Sequence, residues 1–146
     1  MAFKGMVILD TNILIEIIRK NGEIILMCDN LGTANLAITS VTRNEFLLGS
    51  RDKESFAQNL KFVNKFHLLE MNGSIDKIFS RLCETYALSH RPRIPDMIIA
   101  ATSIHYACEL YTLNTKDFSP INPHFQNIIL LVRQGGRLDD LLILMC

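Results

Sequence analysis

Residues 6–16 read MVILDTNILIE, and the fold turns on how this stretch is parsed. Val7, Ile8 and Leu9 form a short continuous apolar run, which suits a strand buried on both faces of a parallel sheet. Asp10 ends that run, and Ile13-Leu14-Ile15 resumes it at once. A carboxylate in that position belongs at a strand end, where the chain turns into a helix. It either caps the helix or does chemistry beside it.

Working outward, apolar patterning predicts strands at 6–10, 36–39, 67–71, 110–113 and 128–132. Helices are expected at 12–20, 42–49 with Thr42 as the cap, 53–66, 74–88 and 96–107, the last opened by Pro95. Strands alternating with helices imply α/β architecture, a three-layer α/β/α domain with a central parallel sheet of about five strands. No linker, repeat or low-complexity tract divides residues 1–146, so a single domain is expected.

Composition narrows the function classes. Hydrophobic residues at 49% and charged residues at 21% describe a globular chain rather than a disordered one. Lys plus Arg equals Asp plus Glu at 15 each, so no strong net field advertises a nucleic-acid or membrane partner. No apolar stretch reaches the ~18 residues of a membrane span, and Asp10, Asn12 and Glu16 interrupt any signal-peptide core. The four cysteines are scattered without CxxC spacing, which reads as free thiols in a reducing cytoplasm. The four histidines lack zinc-ligand spacing.

Four carboxylates fall at element ends. Asp10 ends the first strand, Glu45 is expected in the first turn of the helix after the second, Asp96 opens the helix at Pro95, and Asp117 follows the fourth strand in TLNTKDF. Each has an ordinary explanation. Asp10 suits a helix cap, Glu45 closes a capping box with Thr42, Asp96 suits a helix's first turn, and Asp117 suits a turn. Taken together they point to the carboxyl rim of an open sheet, where ligands bind. Four such groups brought close repel one another and call for a divalent cation. An all-oxygen set selects hard ions such as Mg²⁺ or Mn²⁺, which activate water and stabilise the departing oxygen of a phosphodiester.

VILDTNILIE, AITSVTRNEFLLG and IPDMIIAATSIHYACELYTLNTKDF, in that order and spacing, resemble the PIN-domain ribonucleases, specifically the VapC-type toxins of toxin–antitoxin operons. The resemblance covers most of residues 6–118 and implies a Mg²⁺- or Mn²⁺-dependent endoribonuclease. On this reading Asp10, Asp96 and Asp117 hold metal, and Glu45 holds metal or positions water. Asn12 and Asn114 match family positions near the site, where their amides orient ligands or the RNA substrate. The family further implies a homodimer and a small antitoxin that occludes the site. An apolar helix at 12–20 and the apolar ending at 141–146 also suggest self-association. After Phe118 the match thins, and residues 127–146 read as a final strand and a docked tail.

Two rivals carry other expectations. A haloacid-dehalogenase-type phosphatase also begins with a strand-end Asp, but needs a second Asp two residues on, where this chain has Asn12. A catalytically weak PIN-like protein-binding module would not need all four acids.

Overall fold

Val7–Leu9 forms β1, around which the sheet is built. In the computed structural model, residues 5–119 and 121 are described in full, and residues 128–134 and 137–144 by their backbone. β1 lies between β2 (Leu36–Thr39) and β4 (Glu109–Thr112), parallel to both. β3 (His67–Leu69) extends the sheet beyond β2, and β5 (Ile128–Gln134) extends it beyond β4, again in parallel. β6 (Arg137–Leu144) pairs antiparallel with β5, so the order is β3-β2-β1-β4-β5-β6. The five parallel strands agree with expectation. The sixth corrects the docked tail: strand pairing there satisfies the open backbone groups along β5.

Seven α-helices are seen among the described residues: α1 (Thr11–Ile18), α2 (Gly22–Leu31), α3 (Ser40–Leu48), α4 (Lys53–Val63), α5 (Gly73–Tyr86), α6 (Ile94–Tyr106) and α7 (Thr115–Phe118). Successive strand side chains point to opposite faces, and β1 shows the consequence. Val7 and Leu9 pack with Ile13 and Leu14 of α1, Ile24 and Cys28 of α2, and Val63 of α4. Ile8 packs on the other face with Ile75 and Leu82 of α5 and Met97, Ile99, Ala100 and Ala101 of α6. Each fully buried Ile or Leu contributes roughly 1.5–3 kcal/mol. The architecture is therefore the expected three layers.

Two local expectations change. α2 is a helix beyond those expected; Gly32, at φ +89°, ends it. α3 is capped by Thr39 and not by Thr42: the Thr39 hydroxyl accepts from the Thr42 amide at 3.1 Å. The last residue of β2 is itself the N-cap, which leaves no turn between strand and helix. Glu45 consequently sits in the second turn, and no capping box forms.

From β1 the chain steps outward through β2 to β3, and α5 and α6 then return it to β4 on the opposite side of β1. The carboxyl ends of β1 and β4 thus flank the topological switch point, the place where such sheets bind ligands.

Candidate active site

Asp10 follows β1 directly and is the N-cap of α1. Its Oδ1 accepts from the Thr11 amide at 2.7 Å, so one oxygen does the capping. The other, Oδ2, accepts from the Thr112 hydroxyl at 2.7 Å and from Asn12 Nδ2 at 3.3 Å. Capping therefore occupies only half of this carboxylate. Only 4% of Asp10 is exposed. Burial raises its pKa, while the bonds from Thr112 and Thr11 pull it down, Glu45 raises it and Arg93 lowers it.

Thr112 ties β1 to β4. Its hydroxyl accepts from Asn12 Nδ2 at 3.3 Å and from the Asn114 amide at 3.0 Å while donating to Asp10. The Asn12 carbonyl in turn accepts from the Leu113 amide at 3.1 Å. The Asn12 side chain is thereby committed to holding Asp10 and the end of β4 together. Nothing in the local sequence marks Thr112 for this role, although it stands in the TLNTKDF run.

Glu45 reaches the rim from α3. Its Oε1 accepts from the Thr11 hydroxyl at 3.0 Å, and its Oε2 lies 3.9 Å from Arg93 Nη2. Thr11 is another residue that the sequence did not single out. It touches the site because the first helical residue after Asp10 faces α3.

Asp96 is placed by the first turn of α6, after Pro95, and is 5% exposed. Asp117 lies in α7, capped by Asn114, whose carbonyl accepts from the Asp117 amide at 3.3 Å. Asn114 Nδ2 donates to Asp117 Oδ2 at 2.9 Å and reaches Asp96 Oδ2 at 3.4 Å. This amide links the two aspartates. Burial first, then a hydrogen bond with the Asp117 carboxyl and the charge of Asp10, pushes the Asp96 pKa up to about 7. Asp117 moves the other way, lowered chiefly by the Asn114 bond. The pair therefore favours a proton on Asp96 when no other cation is near.

The four acids gather as two pairs. Asp10 and Glu45 meet through Thr11, and Asp96 and Asp117 through Asn114. Arg93 stands between the pairs, with its Nε 3.8 Å from Asp96 Oδ2. Among the described residues no three acidic, histidine or cysteine side chains already surround a common point. The donor chemistry nonetheless fits a hard divalent cation. The donors are all oxygen, and Asp96 is raised by burial first and then by the carboxyls of Asp117 and Asp10, a charge that a cation would compensate.

Comparison with known proteins identifies the fold that carries these residues. A family model described as PIN domain matches residues 7–121, which run from β1 past α7. A toxin–antitoxin complex from Klebsiella pneumoniae superposes with a TM-score of 0.70 at 25% identity, covering 84% of this chain and 95% of that one. VapBC2 from Rickettsia felis, bound to a DNA fragment from their promoter, gives 0.70 at 24% identity, covering 88% and 99%. DNA-bound VapBC from Salmonella typhimurium gives 0.71 at 22% identity, covering 87% and 97%. No curated protein matches the chain in sequence.

Proposed function

This chain belongs to the PIN-domain family, and on that premise we propose that it is a divalent-cation-dependent endoribonuclease, the toxin of a toxin–antitoxin pair. One observation carries the reading: four carboxylates from four separate helices or their caps gather at the switch point, and one is driven to a pKa of about 7.

Asp10, Asp96 and Asp117 would hold Mg²⁺ or Mn²⁺, and Glu45 would hold the cation or position water. Such an ion supplies water activation and charge stabilisation at the departing oxygen. The chain's own contribution is orientation. Thr112 and Asn12 aim Asp10, Asn114 aims Asp96 and Asp117, and Thr11 aims Glu45. We assign Asn12 and Asn114 to positioning the carboxylates, since their amides are engaged there.

Partners follow from the structural relatives, which are toxin–antitoxin complexes. We propose a small antitoxin and a homodimer; Ile15 and Ile18 of α1, 38% and 50% exposed, supply apolar surface for such contacts. No helix among the described residues is long and apolar enough to cross a membrane. A cytoplasmic location suits the free thiols of Cys28 and Cys83.

The test is cleavage of single-stranded RNA by partner-free protein with Mg²⁺ or Mn²⁺. Loss in chelator, and a fall of about 100-fold or more in Asp96→Asn, is expected. Sedimentation of the same sample should give twice the chain mass. RNA left intact with both metals would favour the binding-module reading.

A further inference from the structure

We infer that Arg93 is a built-in stand-in for the divalent cation: its guanidinium bridges Glu45 and Asp96 in the metal-free site and is displaced when metal enters. The inference rests on the metal-dependent reading of this site and adds a competitor to it.

Arg93 is the N-cap residue of α6, yet its side chain caps nothing. A cation at a helix N-terminus opposes the helix dipole, so something else must hold it there. What it meets is Glu45 on α3 at 3.9 Å and Asp96 on its own helix at 3.8 Å. Those two acids belong to different halves of the rim. The guanidinium therefore spans the gap between the pairs, where a shared cation would also have to act.

The hold is weak. Both separations exceed the 2.7–2.9 Å expected of a charge-assisted hydrogen bond, and the Arg93 side chain is 62% exposed. Exposed ion pairs of this kind are readily given up. A cation that takes up Glu45 and Asp96 removes both partners of Arg93 at once. A metal that must displace it binds with an affinity reduced by the fraction of sites left open. The displaced guanidinium stays on the rim, tethered three residues from Asp96.

Calorimetric titration of the full chain with MgCl₂ and with MnCl₂ tests this in wild type, Arg93→Gln and Lys116→Gln. Lys116 is the control for charge alone: it is exposed and acts on Asp117 through its field. Arg93→Gln should bind metal about twofold to fivefold more tightly than wild type, and Lys116→Gln should change affinity by less than half that factor. Binding seen in Arg93→Gln but not in wild type would also support the inference. Equal or weaker binding by Arg93→Gln, or equal tightening by Lys116→Gln, would overturn it while leaving the metal reading intact. If no protein binds either metal, the inference and that reading fall together.

Discussion

Asp10 and Asp96 are 4% and 5% exposed, and burial raises the pKa of both, yet their surroundings compensate them to different extents. Asp10 receives hydrogen bonds from Thr11, Thr112 and Asn12, all of which favour its charged form. Asp96 has one long contact from Asn114 and a loose ion pair with Arg93 at 3.8 Å, and it faces two other carboxylates. Equal burial therefore yields two different groups. The protein compensates most of the Asp10 charge itself, whereas Asp96 is held only loosely and is open to a cation or a proton.

The widest separation between the two should come from amide substitutions, with unfolding by urea followed in chelator at pH 8. Asp96→Asn removes an undercompensated charge and should raise stability by ~1–3 kcal/mol. Asp10→Asn places an amide NH₂ against the Asn12 donor and Thr112, which should lower stability by ~1–3 kcal/mol. Shifts of the same sign would break the contrast.

Acidity sharpens it further. Because the folded Asp96 pKa is raised from 3.8 to about 7, the folded state binds the extra proton between those values. Its contribution is complete below pH ~4 and is lost as pH rises through about 7. Asp117, lowered from 3.8, acts only below that window. Melting temperature in chelator should thus fall from pH 4.5 to pH 7.5 relative to Asp96→Asn, in which this slope is absent. Parallel curves for the two proteins would mean that Asp96 titrates normally.

The parts legible in the sequence were those set by short-range pattern. Val7-Ile8-Leu9 before Asp10 announced a central strand, and both of its faces proved covered. Pro95-Asp96 marked the start of α6 to within a residue or two. What stayed hidden depended on contacts across the fold. Thr112 joins Asp10 from 102 residues away, and Thr11 joins Glu45 from 34; no local spacing encodes either. Thr39 and Thr42 are both good caps by composition, and only the end of β2 decides between them. The pairing of β6 with β5 likewise depends on an edge that exists only once the sheet has formed.

Glu45 is the smallest and sharpest case. As a capping-box residue it would owe its place to α3, and Glu45→Gln would be nearly silent. The structure removes that role, since Thr39 caps the helix and Glu45 lies a turn further on. What remains is an acceptor for the Thr11 hydroxyl and a loose partner for Arg93. Gln keeps the acceptor and loses only the charge. That charge is partly exposed and screened, so stability should change by no more than a few tenths of a kcal/mol. Metal affinity or cleavage should fall about tenfold, equivalent to 1.4 kcal/mol. The pair of measurements is decisive because the two effects differ in size and in kind. Wild-type cleavage by Glu45→Gln at limiting metal would reduce the centre to Asp10, Asp96 and Asp117, and would leave Glu45 as a tether between α1 and α3.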